Sequence, residues 1–159
     1  MENNDKKVIN YENTSEFMTF ELGAMKYAIE LPKIREILTY PDNITPLPNT
    51  KKWVKGLINL RGEVVPILDI RIKFNTGPGT YDENTSVIAV ITEDKRMIGI
   101  IVDLVDEVQR LDTTTLAPVS EMGTAIPSRY LKGYVRLDNN QMLVVMDIER
   151  VVAKEELKD

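Results

Sequence analysis

GLINLRGEVVPILDIR, residues 56–71, decides how the rest of the chain is read. Two apolar arms, residues 57–60 and 64–68, flank Arg61-Gly62-Glu63. Glycine takes positive φ without steric cost. A short glycine-containing gap between β-branched arms predicts a hairpin. Its arms go into a core and its tip, Arg61 and Glu63, into solvent. Pro66 has no N–H to give to a ladder, which predicts an edge or a bulge there. Asp69 is a natural side-chain cap for a short helix starting near Ile70.

Upstream, residues 16–23 alternate, with Phe17, Thr19 and Glu21 on one face and Met18, Phe20 and Leu22 on the other. Residues 24–26 close a turn and residues 27–31 continue as a second strand. Pro32 suits a first helical position. Leu31, Ile34, Ile37 and Leu38 recur at helical spacing, so residues 32–38 are expected to form a short helix or an irregular turn of one. Residues 40–49 hold three prolines and read as extended chain. Residues 50–55 are a polar turn with the only tryptophan, Trp53. Downstream, FNTGPGTYDEN (residues 74–84) is a linker-like loop. Its Gly77-Pro78-Gly79 lacks the following Lys-Ser/Thr and the strand-to-helix setting of a phosphate loop. Residues 149–159 are charged, with Val151, Val152 and Leu157, and are expected to form a terminal helix.

The pattern then repeats. Residues 86–92 and 96–102 read as two strands joined by Glu93-Asp94-Lys95. KYAIELPKIREI from Lys26 lies over MIGIIVDLVDEV from Met97, so that Ala28 faces Gly99 (99 − 28 = 71). GYVRLDNNQMLVVMDI from Gly133 lies over GLINLRGEVVPILDI from Gly56, and with one extra tip residue Asp147-Ile148 faces Asp69-Ile70. Two segments matching in the same order indicate an internal duplication. Each half then holds about five short strands, the signature of a small barrel or sandwich. A half of about 70 residues is marginal alone, so the halves are expected to share an apolar interface.

Composition narrows the function. Apolar residues make up 43% and charged residues 28%, as in a soluble globular protein. A net charge of −5 argues against nucleic-acid binding, which needs a basic face. No apolar run approaches the roughly 20 residues of a membrane span. Residues 1–15 are polar with no apolar stretch, which excludes a signal peptide and predicts a disordered tail; a cytoplasmic location is the expectation. There is no histidine and no cysteine. The usual zinc, haem and iron–sulfur ligands are therefore missing, along with the side chain that titrates nearest neutral pH. Carboxylate chemistry, Ser/Thr/Lys nucleophiles and oxygen-ligated metals stay open. Asp69 and Asp147 could be mistaken for a catalytic pair, but their matched positions mark them as structural caps. Asp138-Asn139-Asn140 echoes a calcium loop, yet Met142 and Leu143 stand where such a loop needs an oxygen ligand and a glycine. No catalytic residue, metal or cofactor is expected.

The tandem pattern and the stretch at 56–71 resemble the CheW family of bacterial chemotaxis coupling proteins, from about Phe17 to Val152. The most specific elements are Gly56, Asn59-Leu60-Arg61-Gly62, Val65-Pro66-Ile67-Leu68-Asp69-Ile70-Arg71 and Gly99-Ile100-Ile101-Val102-Asp103. The resemblance implies an all-β fold of two intertwined SH3-like five-stranded β-barrels with a groove between them. It places one CheW-like domain at residues 16–152, with barrel halves at about 16–75 and 85–152 and tails at 1–15 and 153–159. Whether strands exchange between the halves stays open.

What the resemblance implies functionally is a non-catalytic, cytoplasmic adaptor, monomeric in isolation and recruited to receptor arrays. Its partners are the cytoplasmic tip of a chemoreceptor and the regulatory domain of the histidine kinase CheA. Arg61 resembles the family's receptor-contacting arginine, its planar fork able to pair with a partner's carboxylate. Gly56, Ile34, Glu36 and Ile37, with Val105 and Val108 at the matching place in the second half, are the other receptor-binding candidates. Ile34, Ile37 and Val105 could equally be core. Glu121 and Met122 resemble the kinase-facing loop. Two other readings stand beside this one. One is a carboxylate or lysine enzyme working in the groove. The other is a regulatory barrel of CheV-like type, for which the chain's end at Asp159 leaves no room for a receiver domain.

Overall fold

The computed structural model describes residues 13–77, 79–120 and 124–157. The expected tail at 1–15 lies almost wholly outside them. The first half supplies β1 (Thr14–Leu22), β2 (Met25–Glu30), β3 (Ile34–Thr39), β4 (Val54–Leu60) and β5 (Glu63–Asp69), then the one-turn helix α1 (Ile70–Phe74). The second half supplies β6 (Ser86–Ile91), β7 (Met97–Val102), β8 (Leu104–Asp112), β9 (Leu131–Arg136) and β10 (Met142–Met146), then α2 (Ile148–Val151) and α3 (Lys154–Leu157).

The strands form two five-stranded sheets, ordered β8-β1-β2-β10-β9 and β3-β6-β7-β5-β4. Neither sheet is made by one half of the chain. The first hairpin, β1-β2, joins three strands of the second half, and β6-β7 joins three strands of the first. The two orders are the same once each strand is replaced by its repeat. The registers agree as well: Val145 pairs with Ala28 across the parallel β10-β2 ladder, and Ile67 with Gly99 across β5-β7.

The repeat extends to backbone devices. Gly56 opposes Ile67 and Gly133 opposes Val145, each beside a register shift. Both take positive φ, +144° and +150°. A Cβ on Gly56 would lie 2.1 Å from the Thr45 carbonyl oxygen, and one on Gly133 would lie 2.8 Å from that of Ala117. Glycine lets the incoming segment press against the strand here, through the bridges Thr45–Leu57 and Ala117–Tyr134. Asp69 caps α1 by accepting from the Arg71 N–H at 3.0 Å, and Asp147 caps α2 by accepting from the Arg150 N–H at 3.3 Å. Both aspartates are thus structural caps.

The apolar core has three parts. One cluster fills each barrel: Ile58, Val65, Ile67, Val87 and Ile101 in one, and Phe17, Ala28, Leu111, Leu143 and Val145 in the other. A larger cluster, including Phe20, Tyr27, Leu68, Ile88, Ile100, Val144 and Ile148, draws on both sheets and welds the barrels together. This is the shared interface that two marginal halves require.

Three local expectations change. Residues 32–38 do not form a helix. A single 3-10 turn at Leu31–Lys33 gives way to strand β3, which pairs antiparallel with β6. Over so short a span helical and alternating patterns overlap, and the waiting β6 ladder selects the strand. Among residues 149–157 there is no single helix either; α2 ends at Val151 and α3 is a separate turn. β5 is an internal strand, not an edge. Pro66 is accommodated because the β7 ladder begins only at Ile67, and Pro66 itself pairs with Leu57 of β4.

Candidate functional site

The tip of the β4-β5 hairpin is a two-residue turn with φ +54° at Arg61 and +88° at Gly62. Two left-handed residues match the twist of the flanking strands. The Gly62 N–H donates to the Asn59 side-chain oxygen at 3.0 Å, which locks the tip. The turn projects Arg61 back over β3. There its Nε donates to Glu36 Oε1 at 2.9 Å and its NH2 to Oε2 at 3.1 Å, a bidentate fork. Arg61 therefore already pairs with a carboxylate, one from its own chain. The hydrogen bond from Arg61 holds the Glu36 carboxyl below its ordinary value, and Glu36 raises the guanidinium in return. The Arg61 side chain is 78% exposed, so the pair is a preset charged surface element rather than a buried lock. It edges a shallow cleft of about 440 Å³ whose lining includes Arg35, Glu63 and Met97.

Ile34 and Ile37 sit on β3 and Val105 and Val108 on β8, the outer strand of each sheet. Ile34 and Val105 are half-buried and pack against the central cluster. Ile37 and Val108 stand out, 38% and 45% exposed. The pairs Ile34/Val105 and Ile37/Val108 are related by the repeat, and each pair behaves alike. Four of the candidates thus make matching aliphatic positions on the outer strands β3 and β8. Gly56 does not belong to the surface. It is buried and serves the close approach of Thr45. Glu121 and Met122 lie outside the described residues.

Two features escaped the sequence reading. Val64 is 64% exposed on β5, whereas Val65 beside it is buried. The other is a buried charged cluster at the end of β5. Arg71 Nε and NH2 donate to Asp69 at 2.9 Å each, and NH1 donates to Asp103 Oδ1 at 3.0 Å and to the Thr80 carbonyl at 2.7 Å. The Tyr81 hydroxyl donates to Asp69 at 2.8 Å. Burial alone would lower the Arg71 guanidinium, but Asp69 and Asp103 outweigh it and raise it. Burial, then the bond to Asp69, pushes the Tyr81 phenol up to about 12. Every member is engaged, and the cluster ties the 74–84 loop and the start of β8 to β5.

Interlaced barrels, paired caps and exposed aliphatic positions beside a preset ion pair define a double-barrel scaffold. Residues 16–156 match the CheW-like domain family, and the chain belongs to it. It is similar to the chemotaxis protein CheW of Klebsiella aerogenes, 40% identical over 142 residues that cover 89% of this chain and 84% of that one. The chemotaxis protein CheV3 of Helicobacter pylori is 21% identical over 127 residues, covering 79% of this chain but 40% of its own length. The fold is that of the scaffolding protein TtCheW from Thermoanaerobacter tengcongensis, with a TM-score of 0.75, 23% identity, and coverage of 92% and 90% of the two chains. As a member of this family the chain is a non-catalytic chemotaxis adaptor of all-β, double-barrel fold. No helix among the described residues is long and apolar enough to cross a membrane.

Proposed function

We propose that this chain couples chemoreceptors to the histidine kinase CheA, holding the receptor's cytoplasmic tip against one surface and the kinase's regulatory domain against another. The matching aliphatic positions carry the receptor half of this reading. Ile34, Ile37, Val105 and Val108 offer two equivalent aliphatic edges beside the central cluster, which suits a helical hairpin laying one helix on each. Arg61 and Glu36 flank the first edge and supply charge that meets polar groups on the helix. Glu121 and Met122 are assigned to the kinase side, where a barrel-to-barrel apolar contact does most of the work. Recruitment to membrane-associated receptor arrays follows from binding the receptor, with the adaptor itself in the cytoplasm.

The test is reconstitution of receptor, kinase and adaptor, read as receptor-dependent phosphorylation. Adding the adaptor raises kinase activity and makes it respond to receptor ligand. Ile37→Asp and Val108→Asp abolish that response while changing stability by no more than about 0.5 kcal/mol, because both side chains are exposed. An adaptor without effect on the kinase, or aspartate variants as active as the parent, would overturn the proposal.

A further inference from the structure

Away from those edges, the first half's polar turn, α1 and the chain's last turn enclose a cleft of about 360 Å³. Its walls are aromatic and cationic: Trp53, Phe74 and Tyr130 with Lys73 and Arg129. Lys73 Nζ lies 5.4 Å from the Trp53 ring centre, 5.6 Å from Phe74 and 5.4 Å from Tyr130. Arg129 stacks on Tyr130 at 4.5 Å, and Lys51 lies 5.3 Å from the other reach of Trp53. One carboxylate enters from α3. Glu156 Oε1 accepts from Lys73 Nζ at 2.5 Å and from the Tyr130 hydroxyl at 2.8 Å. Leu157, next in sequence, packs against the central apolar cluster.

The cleft has more positive charge than it uses. Arg129 donates to the Tyr130 hydroxyl at 2.8 Å but forms no direct ion pair among the described residues, nor does Lys51, although the protein as a whole carries a net charge of −5. The Trp53 Nε1–H is shielded from solvent and has no acceptor. A buried donor without a partner is uncommon and marks a place where an acceptor is due. Two cations, Lys73 and Arg129, line the cleft beside a single carboxylate held on a four-residue turn, and Lys51 stands at its edge on the Trp53 ring.

We infer that this cleft is a docking site for an acidic–apolar segment of a protein partner, a Glu-Leu-like step of which takes the place that Glu156 and Leu157 hold in the free protein. The partner's carboxylate pairs with Lys73 and Tyr130, and further acidic residues meet Arg129 and Lys51. The C-terminal turn is then a built-in competitor, which keeps Lys73 paired until the partner arrives. Nothing here depends on the receptor edges, which lie on other strands.

The site carries its own reporter, since Trp53 is the only tryptophan and gives a single indole N–H resonance. The probe is the blocked peptide Ac-(Glu-Glu-Leu)3-NH2, titrated to millimolar concentration. The indole resonance shifts saturably in the parent. Affinity rises about tenfold in Glu156→Gln, where the competitor has lost its charge, and falls about tenfold in Arg129→Gln, as expected for one charge-assisted contact. Arg129 is exposed, so that variant folds. An unmoved indole resonance in Glu156→Gln would overturn the inference. So would an equal shift from the peptide with glutamine for every glutamate, or from inorganic phosphate, which would mark a generic anion site.

Discussion

Replacing Arg71 with methionine tests whether the charged cluster at the end of β5 holds the two halves in register. The Arg71 side chain is 1% exposed and Asp69 is 0% exposed. Methionine fills much of the space but leaves the Asp69 carboxylate buried without its counter-ion. Removing one partner of a buried pair costs about 3–5 kcal/mol. The lower end applies here, because Asp69 keeps the Tyr81 hydroxyl and the residue-71 backbone N–H as donors. For a chain of this size about 3 kcal/mol lowers the melting temperature by roughly 6–12 °C.

The measurement is urea unfolding followed by the emission of Trp53, whose carbonyl accepts from the Asp69 N–H at 2.7 Å. Asp103→Asn provides the comparison. The Asp103 side chain is 36% exposed, so solvent screens it, and its loss costs about 1 kcal/mol or less. The double variant Asp69→Asn/Arg71→Met removes both charges and recovers part of the loss, leaving it well short of the sum of the singles. If Arg71→Met cost no more than Asp103→Asn, or if the double variant were fully additive, the buried pair would not be what fixes this junction.

Charge reversal at the hairpin tip separates pairing from partner contact. Arg61→Glu and Glu36→Arg each uncouple receptor from kinase without altering the melting temperature, and the combined swap restores coupling if the pair itself is the recognised element; it fails to do so if Arg61 alone touches the receptor. Gly56→Ala is expected to destabilise by about 3 kcal/mol or more, since the new Cβ meets backbone and the φ is unfavourable, whereas Gly62→Ala meets open space and costs about 1 kcal/mol; denaturant midpoints distinguish the two. At the alkaline end, Tyr81 has a folded value pushed up to about 12, above its unfolded value of about 10. Its contribution is complete below the lower value and is lost as pH rises through the higher one. Tyr81→Phe therefore flattens the alkaline limb of the stability curve. Glu156 is opposite in sign: its depressed carboxyl contributes above its unfolded value and is lost on acidification. Glu156→Gln reduces the acid sensitivity.

How much of this was legible in the sequence depended on the distance over which each feature is determined. The β4-β5 hairpin, its Arg61-Gly62 tip and the Asp69 cap are set by neighbours within a few residues, and their composition announced them. The duplication was legible because Gly56/Gly133 and Asp69/Asp147 occupy matched places. The interlacing was not. Whether β2 pairs with β5 or with β10 depends on contacts more than a hundred residues apart, and both strands offer the same apolar pattern. Residues 32–38 carried a helical spacing that an available ladder overrode. At the site, exposure of Arg61 followed from its turn, but its pairing with Glu36 depends on how the barrel closes. Arg71 looked like the end of a strand motif because its partners Asp103 and Thr80 come from elsewhere in the chain.

The two halves differ where the fold does not constrain them. Both keep the buried glycine against an incoming carbonyl, the capping aspartate, and an aliphatic pair on the outer strand. The charged positions have diverged. By the repeat, Arg61 corresponds to Asp138 and Arg71 to Glu149, so the matched positions at the two hairpin tips carry opposite charges. Glu36 is ion-paired, while the carboxylate of its counterpart Glu107 accepts from the Gln109 side-chain amide at 3.1 Å. A surface symmetric in its aliphatic edges would accept a helical hairpin equally well in either of two orientations. The opposite charges at the two tips remove that degeneracy, because reversing the hairpin would exchange the groups facing Arg61 and Asp138. Under the proposed coupling role, apolar symmetry then supplies affinity and charge asymmetry supplies direction. Asp138→Arg, which puts an arginine at both tips, should leave receptor binding largely intact while weakening the preference for one orientation, read from cross-linking between single cysteines placed on the adaptor and on each receptor helix. A single unchanged cross-link pattern in that variant would show that the orientation is fixed elsewhere.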